Sequence, residues 1–105
     1  MTSANFDHLR KSVKADGMDE LAQFRLGRAY MEAGHHMQAV PIFRRCIELN
    51  PQYAEAWLWL ARAYVQTGVP KEAAASYEEA RRAADMMGDS MTGLEATAEA
   101  EKLAL

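Results

Sequence analysis

Three kinds of side chain in this sequence of 105 residues could do chemistry: a pair of spaced arginines, a few histidines and one cysteine. Arg28 and Arg62 lie 34 residues apart, and each has apolar residues four positions before and three after, giving Phe24, Arg28, Met31 and Leu58, Arg62, Val65. On a helix each trio shares one face. A guanidinium framed in this way suits a peptide: it can hold a carboxylate or backbone carbonyls while the apolar neighbours take apolar side chains. The plainer alternative pairs Arg28 with Glu32 one turn on, and Arg62 with another nearby acid, so that both only solubilise the surface. Trp59 adds to the first reading. Lying two residues beyond Trp57, it points about 200° away around a helix and cannot share the same pocket. It faces a groove edge or solvent, where Trp and Arg are the commonest interface anchors, or it packs beneath a C-terminal helix.

Enzymatic chemistry finds little support. His35 and His36 are adjacent in a turn and point in different directions, His8 lies in another element, and no Cys or His pair has zinc-ligand spacing. Cys46 occupies a small packing position, which predicts a buried, inert thiol. No glycine-rich phosphate loop is present, and Glu78, Glu79, Glu95, Glu99 and Glu101 read as solvated helix faces. Neither a cofactor nor a metal is expected.

Composition sets the frame for these residues. A chain of this length forms one small domain and hides only about two thirds of its unfolded surface, so a broad groove suits it better than a deep cavity. Half of the residues are apolar and the formal net charge is -3, which supports a packed core and gives no basic footprint for nucleic acid. Asp7, His8, Arg10, Lys11, Lys14 and Asp16 interrupt any apolar leader, and the longest apolar run, 56–61, is far too short to span a membrane. The lone cysteine points to a reducing, cytoplasmic setting. Twenty alanines against ten β-branched residues favour helix, so the expected fold is all-α.

Glycine and proline punctuate the chain at Gly17, Gly34, Asn50-Pro51, Gly68 and Gly88, about every seventeen residues. Helices are therefore predicted near 3–16, 19–33, 37–49, 53–67, 70–86 and 89–103, with Ser3 and Asp19 as N-caps and Pro70 in a first turn. Pro41 falls inside its helix and predicts a slight kink or a late start. Overlaying 20–53 on 54–87 aligns seven identities: Ala22/Ala56, Leu26/Leu60, Arg28/Arg62, Ala29/Ala63, Tyr30/Tyr64, Gly34/Gly68 and Ala39/Ala73. Duplication at this period, with two helices per unit, marks a helical solenoid.

Leu26, Gly27, Tyr30, Ala39, Phe43 and Pro51 in one unit, and Trp57, Leu60, Tyr64, Ala73 and Tyr77 in the next, resemble the tetratricopeptide repeat. Gln23 replaces the pattern's Trp in the first unit; Ala61 replaces its Gly and Asp85 its closing Pro in the second. The missing Pro lets the last hairpin helix run on toward Gly88. The resemblance implies a right-handed α-α superhelix of about six helices, with a capping helix in 1–18, repeats at 20–53 and 54–87, and a capping helix in 88–105. Small residues at 27, 61, 39 and 73 would let helices approach closely, while Tyr30, Phe43, Tyr64 and Tyr77 fill the space between pairs. Two units need covered ends. Phe6, Leu9 and Val13 match the second helix of a preceding unit, and Met91, Leu94 and Ala98 match the packing stripe of a following first helix.

In this family first helices line a concave surface, which by resemblance places Leu21, Phe24, Arg28, Met31 and Glu32 beside Glu55, Leu58, Trp59, Arg62, Val65 and Gln66. The implied function is a non-enzymatic scaffold that binds a peptide or partner helix, acidic if the arginines set the choice. The family's two-carboxylate clamp for chaperone tails is not implied, because its Lys and Asn places hold Phe24, Arg28 and Trp59. A second expectation is a homodimer that buries terminal apolar residues, including Met86, Met87, Leu103 and Leu105. Residues 1–50 carry seven bases and six acids, and 51–105 carry five and nine, an asymmetry that could orient such partners.

Overall fold

The computed structural model describes residues 9–11 and 19–103, and all regular structure among them is helical. Five helices follow in order: α1 (Glu20–Glu32), α2 (His36–Leu49), α3 (Ala54–Gln66), α4 (Pro70–Met87) and α5 (Ser90–Glu101). Residues 9–11 are helical too, whereas the rest of the expected first helix, with Ser3, Phe6 and Val13, lies outside the described residues, as does Leu105.

Local chemistry accounts for the ends. The Asp19 carboxylate accepts hydrogen bonds from the Leu21 and Ala22 amides at 3.0 and 3.2 Å, satisfying two of the donors that a helix start leaves open. Gly34 and Gly68 adopt φ of 84° and 79°, where a side chain would be strained, and let the next amide fold back: His35 N–H donates to Tyr30 O and Val69 N–H to Tyr64 O. Pro70 opens α4, and with Asp85 in place of proline that helix continues to Met87 before Gly88 turns it. Pro41 does not delay α2, which begins at His36. The missing donor leaves the carbonyl four residues back, at Met37, without its usual helical partner.

Consecutive helices pack as hairpins. Phe24, Ala39, Phe43, Cys46, Ala56 and Leu60 form one core cluster; Leu58, Ala61, Ala73, Tyr77, Ala80 and Ala96 form a second toward the C-terminus; and Trp57 packs against both. The crossing of α1 with α2 explains Gly27: a Cβ there would meet the Phe43 ring at 2.6 Å. Phe43 itself has no exposed surface, which is worth about 3 kcal/mol of burial.

The C-terminal helix sits differently from the expectation. Met91 and Leu94 are 72% and 70% exposed and Ala98 is also exposed; Thr92 and Ala96 are the residues buried against α3 and α4. In the 34-residue register Thr92, Ala96 and Glu99 continue the series Phe24, Arg28, Met31 and Leu58, Arg62, Val65. That stripe joins one first helix to the next. Because α5 packs only on what precedes it, it uses this stripe and leaves the other in solvent.

Candidate functional site

The same stripe decides where the expected groove residues lie. Phe24 is only 5% exposed and Leu58 only 2%, so neither lines a surface: Phe24 packs against Tyr53 and Phe43, with ring centroids 5.1 and 6.0 Å away, and Leu58 joins the cluster containing Ala96. Neighbouring first helices approach closely enough to bury the apolar residue a turn before each arginine. What remains accessible is Leu21 at 44% and Val65 at 38%, the half-buried Met31, and the exposed Arg28, Glu32, Glu55 and Gln66. Met31 Sδ lies 3.3 Å from His36 Nδ1.

Trp59 stands at the centre of this surface. It is half-buried, packs against the first cluster with its ring 6.4 Å from Phe43, and does not lie beneath α5. The guanidinium carbons of Arg28 and Arg62 are each 4.9 Å from its ring centroid, within cation–π range. Arg28 also lies 5.9 Å from the Phe24 ring. The 34-residue shift therefore brings the two arginines together on one aromatic.

Their electrostatics differ. Arg62 donates through Nε and Nη2 to both oxygens of Glu99, at 2.9 and 2.6 Å, and through Nη2 to Glu95 at 3.0 Å. The Tyr77 hydroxyl donates to Glu99 at 3.0 Å. Hydrogen bonding to Arg62 holds the Glu99 carboxyl below its ordinary range, and the bond to Glu99 raises Arg62 in turn; burial, then the bond to Glu99, pushes the Tyr77 phenol up. Arg62 thus meets the nearby acids that the plainer reading assigned to it, and Glu95 and Glu99 are clamps rather than a solvated face. Arg28 is exposed and has no ion-pair partner among the described residues, Glu32 included.

Two contributors escaped the sequence reading although the repeat register contained them. Arg25 stands 34 residues before Trp59 and is exposed one turn ahead of Arg28. Glu99 stands 34 after Val65, so extending the overlay by one more unit would have put an acid beside Arg62. Cys46 is fully buried, its thiol donates to the Glu20 carbonyl at 3.3 Å, and burial first, then Glu20, pushes its pKa up to about 12, so it is no nucleophile near neutral pH. Among the described residues no group of three His, Cys, Asp or Glu could hold a metal ion, and no helix is long and apolar enough to cross a membrane. An open groove of about 770 Å³ runs between α2 and α4, floored by Trp57, Leu60 and Tyr64, away from the two arginines.

Stacked helical hairpins with an aromatic and arginine surface across their first helices define a helical-repeat protein. The chain belongs to the tetratricopeptide repeat family, whose model matches residues 24–86. It is 32% identical over 94 residues to the TPR repeat-containing protein PA0015 of Pseudomonas aeruginosa, covering 89% of this chain and 90% of that protein. The solution structure of BPP2914 from Bordetella parapertussis is similar at a TM-score of 0.80 and 29% identity, over 94% of this chain and 86% of that one. The fold alone is shared with PcrH in complex with the chaperone binding region of PopD, at a TM-score of 0.89 and 17% identity over 97% and 80% of the two chains. It is shared also with the first TPR of Spaghetti bound to an HSP90 peptide, at 0.84 and 21% over 94% and 74%.

Proposed function

We propose that the protein is a non-enzymatic interaction module that binds a peptide segment or partner helix across α1 and α3, with 20–53 and 54–87 as its two repeat units. The observation that carries this reading is Arg28: an exposed guanidinium laid over Trp59, with Arg25 a turn away and no carboxylate paired with it among the described residues. Its donors suit an acidic side chain or a terminal carboxylate, while Leu21, Met31 and Val65 offer apolar contacts. Two structural neighbours are described as bound to a peptide or a partner's binding region, which supports the same use of the fold. A cytoplasmic setting accords with the single buried thiol.

The test is affinity capture from the native cell's lysate with wild type, Arg28→Glu and Arg62→Gln in parallel, read by mass spectrometry. Arg28→Glu is expected to lose a partner that wild type retains while its thermal unfolding stays unchanged. Equal recovery by wild type and Arg28→Glu would remove the groove from the account.

A further inference from the structure

The groove of about 770 Å³ between α2 and α4 has one low wall: Ala75 and Ser76 of α4 stand where α2 carries Pro41 and Ile42. Its polar groups lack partners that the repeat supplies elsewhere. Arg10 and Tyr30 stand 34 residues before Arg44 and Tyr64, and the Arg10 guanidinium donates to the Tyr30 hydroxyl at 2.8 and 3.0 Å. Arg44 and Tyr64 both line the groove, yet neither the guanidinium nor the phenol has a hydrogen-bond partner among the described residues. Ser76, only 4% exposed, lacks one too. Because no fully buried side-chain oxygen is without a partner among the described residues, the part of Ser76 that reaches the groove includes its hydroxyl. Glu48 on the α2 wall and Glu72 on the α4 wall are exposed and form no ion pair among the described residues.

We propose that this groove is a second docking site, separate from the Arg28 surface, for an extended peptide segment in which two basic residues flank an apolar one at a spacing of two. Charge and spacing set the occupant. Glu72 stands in the register of Gln38, ten residues before Glu48, and α2 and α4 are equivalent helices of the repeat, so the two carboxylates lie about 15 Å apart along the groove. An extended chain covers that length in about four or five residues, and its alternate side chains share one side. Lys or Arg at the first and fifth positions then meets both carboxylates, while the third side chain rests on the floor of Trp57 and Leu60. Arg44, Tyr64 and Ser76 offer donors to backbone carbonyls, which an extended segment has free and a helix has already used. The acidic partner suited to Arg28 does not fit here, because two unpaired carboxylates against one guanidinium leave the lining net negative.

An array of acetylated, amidated peptides tests this, each with Lys, Ser or Glu at both the first and fifth positions, every residue type in turn at the third, and Gly-Ser flanks. Wild type is expected to retain Lys peptides with an aromatic or branched aliphatic third residue at least tenfold better than their Glu counterparts. Ala75→Trp, at an exposed position on the wall, should abolish that retention by filling the groove. Glu48→Gln combined with Glu72→Gln, both exposed, should make Lys and Ser peptides equal. Arg28→Glu should change nothing, which separates this site from the surface across α1 and α3. Should Ala75→Trp lose helix by circular dichroism, the paired glutamine variant decides alone. A wild type without preference for the Lys peptides overturns the proposal, as does a preference that survives both glutamine substitutions or disappears in Arg28→Glu. Retention by folded Ala75→Trp as strong as wild type's overturns it equally.

Discussion

Arg28 in α1 and Arg62 in α3 are the same residue of the repeat and touch the same indole, yet one is open and the other is held in a network of two carboxylates and a phenol. The difference comes from the next element along the array. α5 brings Glu95 and Glu99 to Arg62, whereas α3 brings Trp59 to Arg28. Repetition of a side chain is therefore not repetition of its role. In a stack the role is set by which neighbour follows, and the open arginine lies where that neighbour supplies a ring instead of an acid.

The two hairpins also differ at the crossing of their helices, and the largest expected effects lie there. Phe43→Ala should destabilise the chain by about 3–5 kcal/mol in urea unfolding, since it empties the fully buried centre of the first cluster. Gly27→Ala should cost roughly 1–3 kcal/mol, because its methyl would lie against the rigid Phe43 ring. The equivalent crossing at Ala61 already carries a methyl, so Ala61→Gly should cost only about 1 kcal/mol. A Gly27→Ala variant that gains as much stability as Ala61→Gly loses would mean that the two crossings are alike.

For the arginines, Arg62→Gln should cost about 1 kcal/mol and loosen α5, read as faster amide exchange in 90–101; Arg28→Gln should leave stability within about 0.5 kcal/mol. The smallest effect is in pH. The folded-state pKa of Glu99 is depressed, so its stabilisation is complete above the ordinary carboxylate pKa of about 4.3 and fades as pH falls through the lower folded value. Acid titration of the thermal midpoint should therefore fall less steeply below about pH 5 in Glu99→Gln than in wild type. An identical slope would show that Glu99 does not hold the network.

Much of the architecture was legible because it is written in short-range signals. Asp19, Gly34, Gly68 and Pro70 mark helix ends through interactions within a turn, and the 34-residue identities give the hairpin period directly. The candidate site was legible only halfway. Spacing put Phe24, Arg28 and Met31 on one face but could not say that the first turn of that face is covered by the adjacent hairpin, while Arg28 is not. Trp59 was legible as distinct from Trp57, but not as the ring between two arginines. The Arg62 clamp joins residues 33 and 37 positions apart, beyond any local pattern.

By itself, then, the sequence determined the helices, their pairing into repeats, the small and aromatic residues at the crossings, and the inert cysteine, because each follows from backbone preference or from a period along the chain. Tertiary structure alone decided which equivalent residues remain available. Stacking sets α5 on the stripe of Thr92, Ala96 and Glu99, which buries Leu58 and neutralises Arg62 while Met91 and Leu94 face solvent. Availability depends on what lies across an interface, and a residue's own neighbours in sequence do not carry that information.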